Sequence, residues 1–376
     1  MNFDMRSIYE ARRKKVAEYM IAHGIAAAVF EDTEARRDVS VRYLTGHPSD
    51  AALVLTAKGD AVLVAWDVNL AQRRAHADEV LSSEPFSRDY TRAAASILRD
   101  AGCPKGGIVS VHADTPFSRV AKWQSTLDEW DVRASEEGPH QLVQTMRSCK
   151  DEWEVHCIKQ AAAITDAMSE AILDGLQHGK EMSEADVALF AERQLRLRGA
   201  ERTSFDTLAA GPDRSFAIHA FPGYTAGSWG GEGLSLLDYG VCFEGYASDC
   251  TIAVVRHPTP EQARLVELVQ QAAAECVGLY KAGGRIKEAV KRADDIFAAA
   301  GRAMPHGLGH GIGLEIHEEP FVSLRAKDED VFHAGNVVTL EPGLYDAALG
   351  GVRLENDVLI TPEGPQVLTH SRILCL

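Results

Sequence analysis

The stretch Met304-Pro305-His306-Gly307-Leu308-Gly309-His310-Gly311-Ile312-Gly313-Leu314-Glu315-Ile316-His317-Glu318-Glu319-Pro320 sets three histidines in a frame of alternating glycines. Glycine lets one backbone segment approach another closely enough to hold an imidazole at a fixed point. Four acids in apolar, strand-like settings flank this stretch: Asp238 and Asp249 before it, Glu341 and Glu355 after it. Four carboxylates and an imidazole that converge require a cation, because buried carboxylates are otherwise paired or protonated.

Each acid alone has a plainer reading. Asp238 and Asp249, 11 positions apart, fit directly opposed positions of a hairpin, with Cβ atoms about 5 Å apart on one face. A solvated hairpin tip would explain them, but Ser-Leu-Leu before Asp238 and Thr-Ile-Ala-Val-Val after Asp249 read as buried strand. Glu341 and Glu355 likewise sit at the end of, or inside, apolar runs. Arg353 shares a strand face with Glu355, so a simple Arg-Glu pair is the alternative there. That alternative must recur independently at four acids and a histidine. Four carboxylates are neutralised by two divalent cations, and with a bridging hydroxide they make a dinuclear site of the kind used for hydrolysis. The set is oxygen-rich, unlike that of a single zinc, and ligand type alone admits Mn, Co, Zn or Fe.

Composition narrows the field. At 376 residues, with 45% hydrophobic and 25% charged residues, the chain has the make-up of a globular protein and the length of two domains. A net charge of −16 argues against a nucleic-acid partner, which needs a basic face. No stretch approaches the roughly 20 apolar residues of a membrane span, and the opening Met1-Asn2-Phe3-Asp4-Met5-Arg6 shows no signal core. Seven scattered cysteines without a C-x-x-C pair read as reduced thiols in a cytoplasmic protein. Cys242 and Cys250, although next to the aspartates, read as packing residues, since soft thiolates suit a carboxylate site poorly.

The elements that must carry these residues follow from periodicity. Residues 7 to 23 form an amphipathic pattern stopping at Gly24, before a strand at Ile25 to Phe30. Ala51 to Thr56 and Ala61 to Trp66 read as a hairpin about Lys58-Gly59-Asp60, and helices near 89 to 101 and 115 to 129 flank a strand at Gly107 to Val111. This is an α/β domain, assigned to residues 1–144, without a phosphate loop. The pattern breaks at Glu137-Gly138-Pro139, and Lys150-Asp151-Glu152 opens a long helix. Ser183 caps a second helix, Thr259-Pro260 opens a third that Gly283-Gly284 ends, and a fourth runs to about Ala300. Strands at Leu234 to Asp238, Tyr246 to Val255, Val337 to Leu340 and Val352 to Ile360 make residues 145–376 an α+β domain, helices on an antiparallel sheet.

The order Asp-x10-Asp, His-Gly-Leu-Gly-His-Gly-Ile-Gly-Leu-x-x-His-Glu, Glu-Pro-Gly-Leu-Tyr, Val-Arg-Leu-Glu resembles the pita-bread metallopeptidases: aminopeptidase P, prolidase and methionine aminopeptidase. The resemblance covers about residues 145 to 376. The N-terminal part, with Tyr43-Leu44-Thr45-Gly46, is similar to the creatinase-type domain of the prolidase branch. It implies a curved antiparallel sheet under helices, with two divalent metal ions, manganese first and Co, Zn or Fe as alternatives. Asp238 would chelate one metal, Asp249 and Glu355 bridge both, and His310 and Glu341 hold the second. His219 and His317 would bind the scissile carbonyl, Glu341 would serve as base, and His306 and Arg353 would line the substrate pocket. Without the resemblance, His219 is a lone histidine on an apolar strand, more often a core residue than a catalyst.

The implied activity is hydrolysis of Xaa-Pro bonds by a metal-bridging water or hydroxide, as a dipeptidase or aminopeptidase. The alternatives are a small-molecule enzyme of the same fold (creatinase, ectoine hydrolase or dimethylsulfoniopropionate lyase) or a non-catalytic peptidase-like binding module. Creatinase-like enzymes have lost metal ligands, whereas this chain keeps all five. A short peptide or small amide is the implied substrate and a homodimer the implied assembly. Two departures from the family pattern, Gly231-Glu232-Gly233 for the usual Gly-Asp and Asn356 for an acid after the last glutamate, bear on substrate choice more than on metal binding.

Overall fold

The computed structural model describes residues 3–376; Met1 and Asn2, the start of the segment read as lacking a signal core, lie outside them. The chain divides into two compact units, one running to Met146 and the other Arg147–Leu376. No helix of the described residues is long and apolar enough to cross a membrane.

In the first unit the amphipathic pattern becomes the helix Met5–Ala22, capped by the Asp4 carboxylate. A six-stranded mixed sheet follows the order Glu79–Ser82, Ala61–Ala65, Ala51–Thr56, Ile25–Asp32, Ile108–His112, Asp131–Ser135. The expected hairpin pairs Ala51–Thr56 antiparallel with Ala61–Ala65, and Gly59 turns it at φ 98°, a conformation that favours glycine. Helices Tyr90–Asp100 and Phe117–Thr126 press Ala94, Leu98 and Trp123 onto Val29, Val54 and Val109 of the sheet.

The break read at Glu137-Gly138-Pro139 instead opens a helix, Pro139–Ser148. Proline suits the first helical position because the N–H it lacks would have no partner there. His140, in the first turn, is buried against the rings of Phe30 (4.3 Å) and His112 (5.2 Å). Burial lowers its pKa from 6.5 to about 4, against the weaker pull of Asp38. The unfolded chain therefore binds this proton between those two values and the folded chain does not. Stability rises with pH across that window and is lost as the pH falls from 6.5 towards 4, by roughly 3 kcal/mol. Replacing His140→Phe, which keeps the ring and removes the titration, is expected to flatten this acid-side loss. Denaturant melts of both proteins from pH 7 to 4 check it.

In the second unit all four expected helices form: Glu152–Gln177, Glu184–Leu197, Pro260–Cys276 and Ile286–Ala299. Asp151, Ser183 and Thr259 close capping boxes on the first three, each accepting from the N–H three residues on and receiving a side chain in return. The third helix stops at Cys276 and continues only as the 3-10 turn Val277–Leu279, short of the glycines read as its end.

Two sheets lie under these helices. One runs Ile373–Cys375, Cys250–Arg256, Gly233–Tyr239, Leu208–Ala210; the other Glu318–Val322, Gly309–Gly311, Val337–Leu340, Asn356–Thr361, Gly364–Val367. All pairings are antiparallel except that of Ile373–Cys375 with Cys250–Arg256. An α/β unit followed by an α+β unit is the architecture the sequence led us to expect.

The first of these sheets is buried on both faces. Leu234, Leu236, Ala253 and Val255 pack on the helices Pro260–Cys276 and Ile286–Ala299, while Leu237, Tyr239, Ile252 and Val254 pack on Glu152–Gln177 and Glu184–Leu197. Strands covered on both sides read as continuous apolar runs rather than alternating ones, which is why the acids stand out in them. By alternation Asp238 shares the face of Leu234 and Leu236, near the end of the strand.

Candidate metal centre

The acids sit where regular structure ends. Asp238 is the penultimate residue of Gly233–Tyr239. Asp249 falls in a gap between Tyr246–Ala247 and Cys250–Arg256, so the single strand read over Tyr246 to Val255 is broken there. Glu341 follows Val337–Leu340, and Glu355 interrupts what read as one strand, between Gly350–Arg353 and Asn356–Thr361. At such interruptions the backbone is released from the ladder and a side chain can be re-aimed.

The register corrects one expectation. Asp238 pairs with Thr251, not Asp249, because the short ladder of Cys242 with Ala247 and Phe243 with Tyr246 extends the same hairpin. Asp249, two residues before Thr251, is thus a diagonal neighbour of Asp238 on the same face, still within reach.

His310 lies on Gly309–Gly311, and Gly309 is there because a Cβ would stand 2.0 Å from the Thr339 carbonyl oxygen. Its backbone N–H donates to Thr339 Oγ1 at 3.0 Å. Its Nε2 is 3.7 Å from Asp249 Oδ2 and 3.7 Å from Glu341 Oε1. One ligand atom each from Asp249, His310 and Glu355 lie within 4.8 Å of one another.

Arg353 threads this group. It donates to Asp238 Oδ2, to Thr251 Oγ1 at 2.9 Å, to Tyr345 Oη at 2.7 Å and to the Ile218 carbonyl at 3.3 Å, and its Nε lies 3.5 Å from Glu355 Oε2. The plain Arg-Glu pair is therefore present but only as one contact among several. Thr251 also donates to Glu355 Oε2 at 2.6 Å.

One arginine does not balance the acids. Burial and the neighbouring carboxylates raise Asp249 and Glu341 well above the ordinary range and bring Glu355 to about 7, against the pull of Arg353 on the two glutamates. Asp238 Oδ1 and Asp249 Oδ1 are buried without a hydrogen-bond partner. A cluster of carboxylates with two partnerless oxygens beside a neutral imidazole fits divalent cations. Burial and the charge of His317 keep His310 neutral, its pKa lowered to about 4, so its lone pair is free for a metal.

All nine residues singled out from the sequence line one cavity of about 510 Å³: His219, Asp238, Asp249, His306, His310, His317, Glu341, Arg353 and Glu355. His219 does so from an irregular segment, not the strand the sequence suggested. His317 lies against His310 with ring centroids 4.2 Å apart and the planes tilted by 51°, and His306 Nε2 lies 3.2 Å from Tyr345 Oη. Phe205, Ile218 and Phe221 add apolar side chains to its lining. A second cavity, of about 1180 Å³, shares His306, His310, His317 and Glu341 with it and extends past Met304, Phe321, Leu324 and Arg325. Neither Glu232 nor Asn356 lines either cavity; Asn356 accepts from the Ser371 N–H at 2.6 Å.

Sequence reasoning missed Thr251, Tyr345 and Asp357. Asp357 is fully buried, and its Oδ2 accepts from the Asp249 N–H at 3.0 Å, fixing the backbone of that aspartate. Its signal was available, an acid directly before the apolar run Val-Leu-Ile and two residues beyond Glu355. Cys250 is buried in the helix-covered core, as a packing residue should be, and none of the seven cysteines is in a disulfide.

Known proteins resemble this chain in both of its units. Residues 156–362 match the model of "Metallopeptidase family M24", and residues 12–149 that of "Creatinase/Prolidase N-terminal domain". The chain is 36% identical to an Xaa-Pro dipeptidase of Pyrococcus horikoshii over 97% of its own length and 98% of that protein. It is similar to the structure of the Xaa-Pro dipeptidase from Bacillus anthracis, with a TM-score of 0.84 at 26% identity, covering 98% of this chain and 100% of that one. It is also similar to the X-Pro aminopeptidase from Thermotoga maritima, with a TM-score of 0.81 at 25% identity, covering 94% and 98%.

Proposed function

This chain belongs to metallopeptidase family M24 and carries a creatinase/prolidase N-terminal domain, and from that premise we propose that it hydrolyses the bond preceding proline in Xaa-Pro peptides. Asp238, Asp249, His310, Glu341 and Glu355 would hold two divalent cations, manganese first and Co, Zn or Fe as alternatives. The two partnerless carboxylate oxygens of Asp238 and Asp249, on residues that line a cavity beside a neutral His310, are the observation that carries this reading. When bound, the cations would supply Lewis acidity toward the scissile carbonyl and lower the pKa of the attacking water.

The protein's own groups do the rest. Proline offers no N–H to grip, so orientation must come from the carbonyl side. His219 and His317 donate to the carbonyl oxygen as it gains charge. Glu341 takes the proton of the attacking water and returns it to the departing proline nitrogen, which must leave protonated. Arg353 and Tyr345 hold the pocket wall on which His306 rests. A homodimer, the cytoplasmic setting and the division of the chain at residue 144 belong to the same proposal and rest on the sequence and the family resemblance.

The second cavity, which adjoins the first at His306, His310, His317 and Glu341, leaves room for peptides longer than a dipeptide. Gly-Pro, longer Xaa-Pro peptides, creatine and ectoine, each assayed with and without added manganese, test the reading. The expected result is manganese-dependent release of the residue before proline, from longer peptides at least as fast as from Gly-Pro, and no change in creatine or ectoine. Turnover of creatine or ectoine alone, or of nothing, contradicts it.

A further inference from the structure

Three buried charges lie outside the cavity, directly behind the loop that brings His317 to it. Glu318 Oε1 accepts from Arg147 Nη2 and from the backbone N–H of Glu315 at 3.0 Å, and its Oε2 lies 3.5 Å from Lys150 Nζ. Arg147 also donates to Glu315 Oε2 at 2.6 Å. All three side chains are at most 4% exposed. The carboxylate fills the inside of the turn: a Cβ on Gly313 would come within 2.5 Å of Glu318 Oε2.

The cations are themselves fixed to the scaffold. The Lys150 N–H donates to the Gly335 carbonyl and Asn336 Nδ2 to the Ser148 carbonyl, both at 2.8 Å. On the other side of the turn, Gly311 pairs with Glu318 and the Ala247 N–H donates to the Gly313 carbonyl at 2.7 Å. The loop between His310 and His317 is therefore tied at both ends and plugged in the middle, and the plug is the residue next to His317. Burial alone would raise Glu318; Arg147 and Lys150 outweigh it and hold the carboxyl below its usual range, so it stays ionised.

We propose that Glu318, clamped by Arg147 and Lys150, is a positioning residue that fixes the His317 imidazole against His310 and the scissile carbonyl. The inference rests on the role given to His317 above. A buried ion cluster often adds little stability over apolar side chains of the same volume, so its value here is the geometry it enforces.

A double-mutant cycle in the full-length protein tests it. Glu318→Gln keeps the bond from the Glu315 N–H and removes the charge, and it is expected to lower kcat/KM by about 10- to 100-fold, the scale of a roughly 1 Å misplacement. The double variant with His317→Ala should be no slower than His317→Ala alone. Arg147→Lys, which keeps the charge, should recover part of the loss seen in Arg147→Met. Losses that multiply in the double variant, or an Arg147→Lys as slow as Arg147→Met, overturn the proposal. If Glu318→Gln does not fold, Lys150→Met replaces it in the same cycle. Ring-proton NMR shifts of His310 and His317 in the zinc-loaded protein give a readout free of turnover. They should move in the Glu318 variant, and unchanged shifts contradict the clamp. A wild-type protein without any peptide turnover sinks the functional reading while the NMR comparison still decides this one.

Discussion

Glu341→Gln is expected to leave the fold standing and to lower kcat on Xaa-Pro peptides by roughly 10³-fold, within the range for loss of a positioned general base. Glutamine keeps the volume and one acceptor oxygen but can neither take the water's proton nor supply a full negative charge. The carboxyl lies 3.7 Å from His310 and lines both cavities, so its neutral replacement is accommodated without clash. Metal content should fall along with activity, because a neutral amide is a weaker ligand for a hard cation. Steady-state kinetics with metal analysis on the same preparation check both. A variant within about tenfold of wild type would remove Glu341 from both of its proposed roles.

Arg353→Met is expected to have the largest effect on stability. Arg353 is 2% exposed and is the one cation among Asp238, Glu355 and Glu341, so methionine of similar length leaves buried carboxylates facing each other. Breaking a buried pair by removing one partner costs about 3–5 kcal/mol. The loss should appear in chelator-treated protein and shrink on adding manganese, because cations that bind only the folded chain replace the missing charge. Arg353→Lys should fall between, since one ammonium cannot reach Asp238, Thr251 and Tyr345 together. Denaturant melts with chelator and with metal make the comparison. A metal-free loss below about 1 kcal/mol would mean that the acids are already neutral and need no counter-ion.

Much of the site was legible because of how the sheet is covered. With helices on both faces of Gly233–Tyr239 and Cys250–Arg256, the strands read as unbroken apolar runs, and a carboxylate inside one has no solvent to explain it. The helices were legible from their caps, since Asp151, Ser183 and Thr259 each announce a start. Register was less so: the ladder 241–243 with 246–247 is too short to show a period, and it moved the partner of Asp238 from Asp249 to Thr251. The helix Pro139–Ser148 was hidden because Gly-Pro reads as a break as readily as a first turn.

What one sequence could not show are contacts made across long separations. His219 lies in an irregular segment with no period to place it, and only the family resemblance pointed to it. Arg147 and Lys150 meet Glu318 from more than 160 residues away, in a segment that read as a domain boundary. Their burial, which gives them their effect, is a property of the fold alone.

Diffraction from crystals grown with manganese, with anomalous data collected at its absorption edge, tests the central claim most directly. Two peaks per chain are predicted, enclosed by Asp238, Asp249, His310, Glu341 and Glu355, with Arg353 still held on Asp238. No peak in that cavity, or manganese bound only elsewhere while the five side chains bond among themselves and to Arg353, would contradict it.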